Sequence, residues 1–301
     1  MDLITIFTPT YDRGYILGEL YRSLTRQTDK RFEWLIIDDG SKDDTETKVR
    51  EWIDREDSFP IRYHKTVNGG KHRAINQGVR MARGKLFFIV DSDDRLTDDA
   101  VEKLFDWEQE IAGRDGFAGV SGNKGKLGNG DLVGETFDGD FVDATALERR
   151  KYNIVGDKAE AFYTDILKQY PFPEIEGEKF LTESVVWDRI AYDGYKIRWK
   201  NQVIYLCEYI EDGLTAQGRS IFAKNPKGYA LSVRQTCAFT DASPKGRVLA
   251  AYYYYEDVKG TMTLQQALGL LEMPSVTALG IWIQMAKIKL SFIWRKMILK
   301  K

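Results

Sequence analysis

The feature that most constrains this 301-residue chain is the alternation in its first third. Segments 3–8, 34–38, 61–64 and 86–90 read as strands, and all but the third are almost wholly apolar. Between them, apolar residues recur at helical spacing: Ile16, Leu17, Leu20 and Leu24, then Val49, Trp52 and Ile53, then Ala74, Ile75, Val79 and Ala82. Short buried strands joined by helices predict an α/β fold, a mostly parallel sheet with helices on both faces. In such sheets the ligand crevice lies at the carboxyl ends of the strands.

Beyond residue 90 the pattern loosens. Residues 119–139 are rich in Gly, Asn and Lys and read as an exposed loop or hairpin, 141–144 as a strand, and 182–192 as a helix. From about 225 the chain reads as purely helical, in segments near 226–239, 244–258, 263–272 and 275–299. The expected layout is an α/β domain over 1–224, in two halves meeting near residue 100, followed by an all-helical appendage over 225–301. The charge is just as unevenly divided. Six cations and no acid follow Met273, which leaves 38 cations against 46 acids in the rest. An acidic body argues against nucleic-acid binding, which needs cations for phosphate. Cys207 and Cys237 lack metal-type spacing and suit a reducing cytosol. Met1 leads into Asp2 without a basic region, so no signal peptide is expected, and no uncharged stretch is long enough to span a bilayer.

Three strand ends deliver polar loops to one edge of this sheet. They are Thr8-Pro9-Thr10-Tyr11-Asp12-Arg13, Asp38-Asp39-Gly40-Ser41 and Asp91-Ser92-Asp93-Asp94. Ser41, Asp43 and Asp44 read equally well as helix caps. Asp91, Asp93 and Asp94 do not, because three carboxylates in four residues repel one another and a bound cation would relieve them. Oxygen ligands of this kind suit Mg²⁺ or Mn²⁺, completed by substrate phosphates. A dinucleotide oxidoreductase would show a glycine fingerprint after the first strand, and none is present.

These segments together resemble the inverting family 2 glycosyltransferases of the GT-A fold, of the bacterial surface-polysaccharide type. Asn68-Gly69-Gly70-Lys71, continuing to Ala74, Asn76, Gly78 and Gly84, resembles the family's third block, and Asp91-Ser92-Asp93-Asp94 its Asp-x-Asp element. The likeness is dense over residues 3–100. It resumes at 177–183 with Trp187 and Arg189, and again at 208–215. The resemblance implies a nucleotide-diphosphate sugar donor contacted by Thr8, Pro9, Tyr11, Asp39, Lys71, Asp91 and Ser92. It places Asp39 on the base, Asp91 on the ribose, and Asp93 on a Mn²⁺ or Mg²⁺ ion. Glu183 is the implied base and Trp187 an acceptor-side wall, although relatives often carry two adjacent acids where this chain has Glu183-Ser184. The only histidines are His64 and His72, so no later histidine joins the metal, and His72 reads either as a phosphate contact or as a surface helix residue.

The implied activity is metal-dependent sugar transfer to a saccharide or lipid-linked saccharide acceptor. Its rivals are a nucleotide-sugar binder without turnover and a sugar nucleotidyltransferase. The tail, 275–301, is apolar over more than one helical face and basic. It reads either as a helix packed on the core or as an interfacial anchor on an anionic bilayer, which would put a cytoplasmic protein on the inner face of the cell membrane.

Overall fold

The computed structural model describes residues 3–207 and 218–283. They form two compact units, one of 1–174 and 189–216, the other of 175–188 and 217–301, the division passing through a helix.

In the first unit, β1 (Ile4–Thr10), β2 (Phe32–Asp38), β3 (Ile61–Lys65) and β4 (Leu86–Ile89) pair in parallel in the order β3-β2-β1-β4. Between them run α1 (Leu17–Thr25), α2 (Thr45–Arg55) and α3 (Lys71–Met81), as the periodicity predicts. β1 and β2 are buried throughout because helices cover both faces. Burying each large apolar side chain contributes about 1.5–3 kcal/mol. Trp34 and Trp52 stack with Tyr21 on one face, and Phe7 with Phe87 on the other side of the sheet's core.

β5 (Arg95–Leu96) and α4 (Ala100–Ile111) follow, then β6 (Phe117–Lys126), β7 (Phe141–Ala144), β8 (Lys158–Tyr163), α5 (Thr164–Gln169), α6 (Ser184–Tyr192) and β9 (Lys196–Cys207). They extend the sheet to the order β3-β2-β1-β4-β8-β6-β9-β5, with β7 on β9. Here the pairing is mixed: β8 runs antiparallel to β4 and β6, while β6 and β9 are parallel. The expected exposed loop or hairpin over 119–139 is corrected in its first part, while most of 127–139 is exposed and Gly125 bridges Leu132 in antiparallel fashion. Gly119, Gly122 and Gly125 lie in β6, which is buried from Ala118 to Asn123. A Cβ on Gly119 would collide with the Ala161 carbonyl oxygen, and one on Gly122 would press on Ile204. The glycines let neighbouring backbone and side chains close in.

In the second unit, α8 (Pro226–Phe239), α9 (Pro244–Val258) and α10 (Leu264–Leu270) agree with three of the expected helical segments, and α7 (Ser220–Lys224) is a short helix ahead of them that was not expected. Ala230, Ala251, Tyr254, Val258, Leu268 and Ile281 share its core. Segment 175–188 is tied to α8. The buried Glu178 carboxylate accepts from the Lys227 and Gly228 amides, both at 2.8 Å, and so caps the helix. Asn225 Oδ1 accepts from the Lys179 and Phe180 amides at 2.9 and 3.1 Å. The 208–215 motif and the cations from Lys287 onward lie outside the described residues.

Candidate nucleotide-sugar site

The β1 and β2 strand ends lie level, because their register pairs Thr10 with Asp38, and the Asp39 amide donates to the Thr10 carbonyl at 2.8 Å. Their loops are laced together. The Asp12 amide donates to Ser41 Oγ at 2.8 Å, the Lys42 amide to Asp12 Oδ1 at 2.6 Å, and the Gly14 amide to Asp43 Oδ2 at 2.8 Å. Asp43 also accepts from the Thr45 amide and hydroxyl at the start of α2. Ser41 and Asp43 are therefore loop and cap residues.

Thr8 is fully buried and its hydroxyl accepts from Trp34 Nε1 at 3.0 Å; Pro9 is buried beside it in β1. The Thr8 hydroxyl is thus engaged by the β2 side chain Trp34. Tyr11, by contrast, is 45% exposed at the loop's start.

Asp39 is buried, and its carboxylate organises the loop before α3. Oδ1 accepts from the Gly69 amide at 2.6 Å, and Oδ2 accepts from the Gly70 amide at 2.8 Å and Asn68 Nδ2 at 3.2 Å. Gly70 holds φ +97°, a left-handed value that glycine adopts without strain. The next residue, Lys71, opens α3 and sets Nζ 2.7 Å from Asp91 Oδ1. His72 is buried at 2% exposure, which corrects its reading as a surface helix residue. Burial holds its imidazole down, to about 4.

The three carboxylates of the acidic loop have different surroundings. Burial opposes ionisation of Asp91, but the Lys71 and Lys124 ammoniums outweigh it and hold the carboxyl below its usual range. Burial and Asp91 push Asp94 up to about 7, and Tyr205 donates to Asp94 Oδ2 at 2.6 Å. Burial and Asp91 also push Asp93 up, and among the described residues no cation pairs with it within 4 Å. Ser92 is buried between them. No group of three or more His, Cys, Asp or Glu side chains among the described residues is arranged to hold a metal ion by itself. A half-buried, unpaired carboxylate beside Asp91 fits an ion that takes its other ligands from phosphate and water.

Residues 5–123, which contain all of these loops, match the profile described as "Glycosyl transferase family 2". Over this segment the chain is similar to family 2 glycosyltransferases. Over 109 residues the chain is 30% identical to "Glycosyltransferase GlyG" of Streptococcus pneumoniae serotype 4, a match covering 36% of each chain. Over 123 residues it is 28% identical to "GalNAc(5)-diNAcBac-PP-undecaprenol beta-1,3-glucosyltransferase" of Campylobacter jejuni, covering 41% of this chain and 38% of that one. The chain thus spans little more than a third of the length of these relatives. Two solved structures share the GT-A fold. TarS of S. aureus with UDP-GlcNAc has a TM-score of 0.64 at 15% identity, covering 89% of this chain and 88% of that one. Mannosyltransferase PcManGT of Pyrobaculum calidifontis with GDP-Man and Mn2+ has 0.56 at 19%, covering 97% and 82%.

The first unit also brings in residues that motif reading missed, beyond the matched segment. Lys124 on β6 and Tyr205 on β9 stand beside the acidic loop, the Lys124 ammonium 4.1 Å from the Tyr205 ring centre. Neither strand shows the apolar pattern that marks β1 or β4, so no sequence signal singled them out. In the second unit, the Glu183 carbonyl accepts from the Val186 and Trp187 amides at 3.0 and 3.1 Å, which places Glu183 at the start of α6 with Trp187 half-buried one turn on. Glu178, five residues before Glu183, accepts from the first amides of α8 with both of its oxygens.

Proposed function

We propose that the chain transfers a sugar from a nucleotide-diphosphate sugar, with UDP-sugars first in line, to a saccharide or lipid-linked saccharide acceptor in polysaccharide biosynthesis, inverting the anomeric centre. The observation that carries this reading is the acidic loop at the β4 end, with Asp91 held by Lys71 and Asp93 left unpaired. The name of the Campylobacter relative, which specifies an undecaprenol-linked acceptor, favours the lipid-linked class.

In this reading Tyr11 lines the nucleotide crevice, Asp39 fixes its 68–70 edge, Asp91 and Ser92 face the ribose, and Asp93 holds the divalent ion. Such an ion, Mn²⁺ or Mg²⁺, supplies Lewis-acid stabilisation of the departing diphosphate. Glu183 takes the acceptor hydroxyl proton as that oxygen bonds to the anomeric carbon, and the bond from that carbon to phosphate breaks to release the nucleoside diphosphate. Trp187 walls the acceptor side. Val276, Leu279, Trp282 and Ile283 are exposed, and the basic sequence beyond them supports peripheral attachment to an anionic bilayer through 275–301.

The test is a thermal-shift panel of nucleotide sugars with and without Mn²⁺. A ligand at 100 times its Kd stabilises the fold by about 2.7 kcal/mol. A panel without any shift overturns the reading. Donor hydrolysis by the hits separates an enzyme from a nucleotide-sugar binder.

A further inference from the structure

The four-residue acidic loop is held at both ends by the sheet. β4 precedes it, paired with β1, and β5 follows it, paired antiparallel with β9 so that Leu96 faces Tyr205. That register brings the Tyr205 hydroxyl under the loop. It donates to Asp94 Oδ2 at 2.6 Å and accepts from the Asp91 amide at 3.0 Å. One hydroxyl thus ties the first residue of the loop to the last, using its donor and one acceptor position. The ring that carries it is fixed. Tyr205 is 1% exposed, packs edge-on against Phe88 at 6.2 Å, and presents its other surroundings to the Lys124 ammonium.

We propose that Tyr205 is a positioning residue for the donor site: by clamping Asp91 and Asp94 it leaves Asp93 as the loop carboxylate presented to a divalent cation. The inference rests on the reading of Asp93 as the metal-binding residue. Each loop acid then has a separate task. Asp91 faces Lys71, Asp94 takes the Tyr205 proton donor, and Asp93, between them, stays unpaired among the described residues. A buried tyrosine commonly finds one hydrogen-bond partner. Here both bonds go to the same four residues, which is what a clamp requires and a simple core contact does not.

Tyr205→Phe in the full chain tests this, since it keeps the ring and removes only the hydroxyl. Two readouts are needed. Amide hydrogen exchange across 90–96 in the metal-free protein reports the clamp itself, and Mn²⁺ affinity in the presence of UDP, from the electron paramagnetic resonance signal of free Mn²⁺, reports its consequence. The expected result is roughly tenfold faster exchange confined to that segment and a roughly tenfold higher Mn²⁺ Kd, in keeping with a hydrogen bond to a charged group. Asp94→Asn, which retains an acceptor for the hydroxyl, should keep exchange near that of the parent protein. Wild-type-like exchange in Tyr205→Phe overturns the clamp, and unchanged Mn²⁺ affinity overturns its role at the donor site. If the parent protein binds no Mn²⁺, the metal assignment of Asp93 fails, while the exchange comparison still decides whether Tyr205 fixes the loop.

Discussion

Asp39 illustrates how a residue found by its motif can carry a task in the fold that the motif does not state. The resemblance implies a contact with the base, whereas its oxygens already accept from Asn68, Gly69 and Gly70. Asp39→Ala leaves those donors without their acceptor and should weaken nucleotide binding by about 1.5–3 kcal/mol. Because the loss acts through the loop, calorimetry should find it equal for UDP and GDP; a loss confined to UDP would return base recognition to Asp39. Asp93→Ala should abolish transfer yet leave the apo melting temperature unchanged or higher, since it relieves crowding with Asp91. Normal turnover of that variant would dismiss the metal role. Buried His72 gives a pH signature. Its folded value lies near 4 and its ordinary value at 6.5, so the unfolded chain takes up a proton first as the pH falls. Stability is therefore complete above about 6.5 and declines toward 4, by at most about 3 kcal/mol at 1.36 kcal/mol per unit. His72→Gln should flatten that slope in urea titrations at pH 7 and 4.5, and parallel slopes would place its origin elsewhere.

At the scale of elements, what the sequence revealed tracks how each element is buried. β1, β2 and β4 are covered on both faces and read as apolar runs, and α8, α9 and α10 begin at Pro226, Pro244 and the Thr263 capping box, all local signals. β6, β8 and β9 were obscured because their buried positions hold Gly, Asn, Lys and Arg, made tolerable by distant partners. Lys158 Nζ, for instance, donates to Asn123 Oδ1 and the Glu135 carbonyl, and Arg198 binds Asp143 through two bonds at 2.7 and 2.8 Å. No local pattern encodes such pairings. Gly119→Ala, which forces a Cβ against the β8 backbone, should cost about 3 kcal/mol, the upper range for overpacking. An unchanged denaturation midpoint would mean that β6 shifts freely. Glu178→Ala should cost about 1–2 kcal/mol through loss of the α8 cap, with faster exchange in α8 while β1 and β2 keep their protection.

For the whole molecule, the described part contains no helix long and apolar enough to cross a membrane. The proposed attachment through the basic tail should depend on salt. Full-length protein should sediment with anionic liposomes at low salt, whereas a chain ending at Ile283, which keeps the core residue Ile281, should stay in solution and still bind nucleotide sugar. If the shortened chain also pellets, the six terminal cations are not the anchor. The way the second unit is assembled bears on how such chains can be recombined. Its helices are completed by 175–188, a stretch that lies between two parts of the first unit in the sequence. A crossover at 217 between two relatives would import α8 without the Glu178 that caps it or the backbone that Asn225 holds. Exchange of this helical module between lineages therefore requires two linked segments to travel together, and a single junction would yield a hybrid with a mismatched cap.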